Sequence, residues 1–202
     1  MNATATVYIV DDEPSVLAGL SRLLRSAGYQ VAAFDAAAKF LERTPADAPG
    51  CLVLDVSMPG LDGLELQQIL DETGQSLPII FLTGHGDIPM SVRAIKAGAV
   101  DFLTKPCNDA DLLAAIGLAL CKDREARRER LTQAHLQSLF ASLTPRERQV
   151  LALVAAGRLN KQIAADLGTC EQTVKVHRAR VMEKLRVKSL ADLVRLAEKA
   201  GI

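Results

Sequence analysis

Cys51-Leu52-Val53-Leu54-Asp55 decides the fold. Four apolar residues in a row are too few for a helix. An uninterrupted apolar run that stops abruptly at a carboxylate reads as a strand buried on both faces. The same signature recurs on either side. Val7-Tyr8-Ile9-Val10 runs into Asp11-Asp12, Ile79-Ile80-Phe81-Leu82 into Thr83, and Val100 to Leu103 is followed closely by Lys105. Val31 to Phe34 supplies one more short run. Between these runs the apolar residues fall at helical spacing. Leu17, Leu20, Leu23 and Leu24 form one set, closed by Gly28. Phe40-Leu41, then Leu64, Ile69 and Leu70, then Val92, Ile95 and Ala99, then Leu112, Leu113, Ile116 and Leu120 form the others. Strand and helix alternate five times over residues 1–121. This predicts a five-stranded parallel sheet with helices on both faces, an α/β doubly wound domain. Its site is expected at the carboxyl ends of the strands.

Beyond residue 121 the pattern changes. Lys122 to Arg130 is a mixed-sign charge run without Pro or Gly, which predicts that the fifth helix continues as a solvated linker over 122–140. From residue 141 only helices are expected. Thr144-Pro145-Arg146-Glu147 is a helix start, with Thr as N-cap, Pro first and Glu closing a capping box. Gly157 ends that helix. Asn160 to Leu167 reads as a short helix stopped by Gly168, Glu171 to Leu185 as a longer basic one, and Ser189 as the cap of the last. A short helix, a Gly-containing turn and a basic helix make a helix-turn-helix arrangement in a small all-α domain.

The 202 residues carry 24 basic and 24 acidic side chains, but not evenly. Residues 1–121 hold 7 basic and 15 acidic groups, net −8, and residues 122–202 hold 17 and 9, net +8. The basic half is suited to phosphate, although a solvated surface would read the same way. The hydrophobic fraction of 49% excludes wholesale disorder. Met1 to Thr6 has no basic segment leading into an apolar one, and no apolar run approaches membrane-spanning length. A cytoplasmic protein is therefore expected. Cys51, Cys107, Cys121 and Cys170 are scattered without metal-ligand spacing and read as reduced thiols.

Four strand ends thus deliver Asp11, Asp12, Asp55, Thr83 and Lys105 to one sheet edge. Taken singly, each could be a helix cap or a loop charge, and Asp12 before Glu13-Pro14 could cap the first helix while serving the site. Taken jointly, three crowded carboxylates call for a cation, since like charges raise one another's pKa. An all-oxygen donor set favours Mg²⁺ or Mn²⁺ over zinc. A metal, a lysine and a hydroxyl around one carboxylate suit a phosphoryl group on that carboxylate.

Residues 1–121 resemble the receiver domain of two-component response regulators. The resemblance is carried by Asp11-Asp12, by Leu54-Asp55-Val56-Ser57-Met58-Pro59-Gly60-Leu61-Asp62-Gly63, by Thr83-Gly84-His85-Gly86 and by Lys105-Pro106. Leu143 to Leu151, Asn160-Lys161-Gln162-Ile163-Ala164 and Thr173-Val174-Lys175-Val176-His177-Arg178 resemble the LuxR/NarL-type DNA-binding domain. Together they are most similar to the FixJ group. The resemblance implies a flavodoxin-like receiver, with Asp55 accepting a phosphoryl group from a sensor histidine kinase. It implies a metal held by Asp11, Asp12, Asp55 and the backbone carbonyl of Ser57, with Lys105 and Thr83 on the phosphoryl oxygens. Phe102 takes the position of the family's aromatic switch, with core packing as its plain alternative, and Lys105-Pro106 is expected to be cis.

Val174, Val181 and Leu185 form the apolar stripe of the basic helix, with Lys175, Val176, Arg178 and Ala179 expected away from it. By resemblance Lys175 and Val176 reach base edges of double-stranded promoter DNA. Lys161, Thr173, Arg178, Arg180 and Lys188 are assigned to phosphates, and Ala179 to a thymine methyl. His177 is read as packing, with a polar contact as the alternative. The slot before that helix holds Cys170, where Thr169 could serve as cap, and a thiol there could respond to redox. The reading is a regulator, not an enzyme, with RNA polymerase as a further partner. The phosphorylated receiver is expected to dimerise through helix 4, strand 5 and helix 5, using Val92, Ile95, Lys96, Asp101 and Asp111. Inhibition of the +8 half by the −8 half is the other route to control. A haloacid-dehalogenase-like phosphatase needs a second Asp two residues after the nucleophile, and position 57 is Ser. A helical half that binds only protein or RNA is opposed by Lys175 and Arg178.

Overall fold

The computed structural model describes residues 5–43, 48–75, 77–84 and 88–199. The chain forms two compact units, 1–128 and 129–202, each described here by itself. In the first, the strands are β1 (Thr6–Val10), β2 (Gln30–Phe34), β3 (Gly50–Leu54), β4 (Ile79–Thr83) and β5 (Asp101–Thr104). The helices are α1 (Pro14–Ser26), α2 (Ala37–Leu41), α3 (Gly63–Glu72), α4 (Ile88–Lys96) and α5 (Asp109–Ala141), the last continuing beyond the unit's boundary. The sheet is parallel throughout, in the order β2-β1-β3-β4-β5.

Alternate side chains of each strand face opposite layers. Val7, Ile9, Cys51, Val53, Ile80 and Leu82 pack with Leu24 of α1 and with Leu112, Ile116 and Leu120 of α5. Tyr8, Val10, Leu52, Leu54, Ile79 and Phe81 pack with Phe40 of α2, Leu66 and Leu70 of α3 and Ala94 of α4. Both faces are covered, which is why the strands read as continuous apolar runs.

Some local expectations give way. β5 lies one residue later than the Val100 to Leu103 run. α4 ends at Lys96, because Gly98 turns the chain with φ 93°, leaving Ala99 beyond the helix. Asp12 does not cap α1. Glu13 occupies the N-cap position, and its N–H donates to Asp11 Oδ1 at 2.9 Å. The charge run after Leu120 is helical, but Asp123 within it is buried rather than solvated. Its Oδ2 accepts from the Gly50 N–H at 3.0 Å and from Arg127 Nε at 2.7 Å, fastening this stretch of α5 to the start of β3.

In the second unit, α6 (Pro145–Ala155), α7 (Asn160–Asp166), α8 (Glu171–Lys184) and α9 (Leu190–Lys199) surround Leu143, Val150, Leu151, Val154, Ile163, Val174, Val181, Leu185 and Leu193. The capping box at α6 is complete. Thr144 Oγ1 accepts from the Glu147 N–H, and Glu147 Oε2 accepts from the Thr144 N–H at 2.9 Å. Lys184 of α8 also reaches Glu147 Oε2 at 2.7 Å and the Ser142 carbonyl at 3.0 Å. Ser189 Oγ accepts from the Asp192 N–H at the start of α9. Cys170, not Thr169, is the N-cap residue of α8.

Candidate functional site

Strand register builds the first site. Val10 pairs with Leu54, Leu54 with Phe81 and Phe81 with Phe102, so the four strands end nearly level. Asp11 and Asp55 are the next residues after one such pair. The Asp55 N–H still donates to the Val10 carbonyl at 2.9 Å, which holds the two carboxylates side by side. This junction of β1 with β3 is where the strand order reverses direction, and connections on either side leave a crevice open. Lys105 arrives from β5, with its N–H on the Thr83 carbonyl at 2.8 Å and a cis bond to Pro106.

Asp11, Asp12 and Asp55 present ligand oxygens within 4.8 Å of one another. All donors are hard oxygens, a set that fits a divalent cation such as Mg²⁺. Lys105 Nζ lies 2.6 Å from Asp11 Oδ2, 3.5 Å from Asp55 Oδ2 and 3.7 Å from Glu13 Oε1. Burial raises the Asp11 pKa above the usual carboxylate value, against the pull of Lys105 and the Glu13 N–H. Burial would depress the Lys105 pKa, but the Asp11 hydrogen bond and the surrounding carboxylates outweigh it, and the ammonium is held above its ordinary range. The lysine therefore stays charged and serves as the cluster's internal counter-ion.

Thr83 is buried at the end of β4. Phe102 is half-buried on β5, its ring 6.0 Å from that of Phe81. Ser57 is exposed just beyond Asp55. His85 and Gly86 lie outside the described residues. Glu13 and Gly63, quoted in the sequence motifs without a role of their own, also belong to the site. A Cβ at Gly63 would stand 2.3 Å from the Asp55 carbonyl oxygen, so the start of α3 lies directly against the Asp55 backbone. A DG step opening a helix was the available signal.

On α4, Val92 and Ile95 are 44% and 46% exposed, and Ile88, one turn earlier, is 80% exposed. Ile88 also went unnoticed, although its spacing from the other two is helical. Lys96 and Asp111 are exposed and Asp101 is half-buried.

The second site is α8. Val174, Val181 and Leu185 are buried, and Lys175, Val176, Ala179 and Arg180 are exposed on the opposite side, as are Lys161 on α7 and Lys188 before α9. His177 is half-buried, and its Nδ1 is enclosed without a hydrogen-bond partner among the described residues. Arg178 departs from expectation. It is half-buried on the flank of the helix, with Nη1 donating to Asn160 Oδ1 at 2.5 Å. Thr173 is half-buried, with its hydroxyl 3.2 Å from Cys170 Sγ. That hydroxyl, together with the Thr173 and Gln172 N–H groups, lowers the Cys170 pKa. Cys51, in contrast, is pushed up to about 12 by burial, with Asp123 adding to the shift, and is an inert core thiol.

Fold and sites together define a receiver domain followed by a helix-turn-helix output domain. Residues 7–117 match the family described as response regulator receiver domain, and residues 141–197 match the bacterial regulatory proteins of the luxR family. Nodulation protein W of Bradyrhizobium diazoefficiens is 52% identical over 198 residues, covering 98% of this chain and 87% of that protein. The transcriptional regulatory protein FixJ of the same organism is 43% identical over 202 residues, covering 100% and 98%. The solved structure of the response regulator StyR matches with a TM-score of 0.91 at 54% identity, covering 98% of this chain and 100% of that one. The chain belongs to the response-regulator family, in the FixJ group with LuxR-type output domains, and is a phosphorylation-activated transcription regulator. Its two domains imply a sensor kinase and promoter DNA as partners. Receiver domains bind Mg²⁺ at an acidic cluster of this kind. Among the described residues no helix is long and apolar enough to cross a membrane.

Proposed function

We propose that Asp55 is the phospho-acceptor of a receiver spanning 1–121, joined by a helical linker, 122–140, to a DNA-binding domain, 141–202. The observation that carries this reading is the convergence of Asp11, Asp12, Asp55 and Lys105 at the β1/β3 crevice. An Asp55 carboxylate oxygen attacks the phosphorus of a phosphohistidine on the sensor kinase. The P–O bond forms, the P–N bond breaks, and the imidazole leaves and takes a proton from solvent. Asp11, Asp12, Asp55 and the Ser57 carbonyl would hold Mg²⁺, which when bound neutralises charge on the transferring group. Lys105, already 3.5 Å from Asp55, takes a phosphoryl oxygen, and Thr83 donates its hydroxyl to another. Thr83 moving toward the phosphoryl leaves space into which Phe102 turns.

That rearrangement favours dimerisation through α4, β5 and α5, where Ile88, Val92 and Ile95 leave apolar surface open. Two linked output domains then engage paired half-sites, the second contact being effectively intramolecular. Lys175, Val176 and Ala179 face the bases, while Lys161, Thr173, Arg178, Arg180 and Lys188 meet phosphates. RNA polymerase is the downstream partner, and the bacterial cytoplasm, where promoter DNA lies, is the place of action. Asp55→Asn tests the acceptor. The amide is nearly isosteric but is no nucleophile, so a phosphoramidate donor with Mg²⁺ should leave the variant unmodified by mass spectrometry. Undiminished phosphorylation would refute the assignment.

A further inference from the structure

We infer that Asn160 is a positioning residue for DNA binding, holding the Arg178 guanidinium in place as a pre-oriented phosphate clamp. This rests on the reading of residues 141–202 as a DNA-binding domain and adds a residue to which that reading gives no role.

Arg178 follows Val174 by four residues and precedes Val181 by three. At 100° per residue it sits on the flank of α8, about 40° from Val174, and not on the open face with Lys175 and Ala179. From that flank the side chain reaches the first turn of α7, where Asn160 Oδ1 accepts from its Nη1. Asn160 directly precedes the exposed Lys161. Two cations from different helices are thereby anchored to one short segment.

The chemistry of the partner matters. Freezing an arginine costs up to about 2 kcal/mol of rotamer entropy. A hydrogen bond already made in the free protein removes part of that cost from the binding step. A carboxylate would hold the guanidinium as well but would cancel its charge. An amide oxygen holds it and leaves the full positive charge for a phosphate. The same domain shows the contrast. Lys184, which ties α8 to α6, is paired with the carboxylate of Glu147, whereas among the described residues Arg178 has no carboxylate within ion-pair reach.

The test is equilibrium binding of the full-length protein to a random-sequence DNA duplex over a salt series, with thermal unfolding of each variant measured without DNA. Arg178→Ala should flatten the salt dependence by one phosphate contact. Its affinity deficit should then shrink about 3.5-fold between about 50 and about 200 mM salt. Asn160→Ala should weaken binding about two- to tenfold, and should cost nothing further when Arg178 is already Ala. Asn160→Asp, which keeps the hydrogen bond and cancels the charge, should flatten the salt dependence as Arg178→Ala does. Should Asn160→Ala not fold, Asn160→Ser takes its place. Loss of affinity in Arg178→Ala with an unchanged salt slope would make the pair a structural brace and overturn the inference. So would an Asn160→Ala defect of equal size with and without Arg178. Absence of duplex binding by the wild type at low salt would instead defeat the DNA-binding reading beneath it.

Discussion

Gly63→Ala is the sharpest test of how the fold holds Asp55. The added Cβ would lie 2.3 Å from the Asp55 carbonyl oxygen, 3.0 Å from Val56 Cα and 3.1 Å from the Asp55 carbonyl carbon, all backbone atoms that cannot rotate aside. Restoring an ordinary contact near 3.5 Å requires a shift of about 1 Å between α3 and the β3–α3 loop. That shift strains the Gly63 N–H to Val56 carbonyl bond of 2.9 Å and the Asp62–Glu65 capping box. Overpacking costs about 1–3 kcal/mol and the weakened cap and hydrogen bond about 1 each, offset by less than about 1 kcal/mol of helix propensity. A net loss of about 2–4 kcal/mol is expected, which at a slope near 2 kcal/mol per M lowers the urea midpoint by about 1–2 M. The chain has no Trp, and its two tyrosines, Tyr8 and Tyr29, both lie in the first unit, so tyrosine fluorescence reports that unit selectively. Because the displaced atoms belong to Asp55, the proposed acceptor, phosphorylation from a small phosphoramidate should slow about tenfold to a hundredfold. Gly60→Ala is the control. Gly60 has φ 82°, and apart from its chain neighbours no described residue comes within 4 Å of a Cβ there, so Ala costs about 1–2 kcal/mol of backbone strain without pressing on Asp55. The reasoning fails if Gly63→Ala matches the wild type in midpoint and rate, or if Gly60→Ala slows phosphorylation equally.

Lys105→Met removes the internal counter-ion from buried Asp11 and Asp55. Without metal it should cost about 1–3 kcal/mol, and added Mg²⁺ should raise its thermal midpoint more than that of the wild type; equal rises would deny Lys105 this role. Glu147 is held at about 2, first by the Lys184 hydrogen bond and then by the Thr144 N–H, well below its unperturbed 4.5. Its contribution to stability is therefore complete above about pH 4.5 and drains away as pH falls toward about 2; Glu147→Gln should flatten acid unfolding of the second unit across that window, followed by circular dichroism. Val92→Glu should keep the phosphorylated protein monomeric in sedimentation velocity at tens of micromolar, and a persistent dimer would move the interface away from α4.

The elements and the chemistry at their ends are written in the order of residues along the chain. Apolar runs such as Cys51 to Leu54 are two-sided strands, and in a parallel sheet every strand delivers its next residue to the same edge, so Asp11, Asp55, Thr83 and Lys105 had to share one rim. Thr144 and Glu147 announced α6 because a capping box is local, built from residues three apart. Strand order is not local. That β1 lies between β2 and β3, making Asp11 and Asp55 neighbours at the crevice, follows from which faces the helices cover, and only the packed sheet decides it. The same holds for Asp123, which reads as one charge in a solvated run but is buried against Gly50 some seventy residues earlier. It holds again for Arg178, which the sequence reading set with the exposed basic residues although its helical angle puts it on the flank beside Val174. That angle is legible in the sequence but the helix beside it is not, and the neighbouring α7, with Asn160 in its first turn, turned that cation into a fixed one.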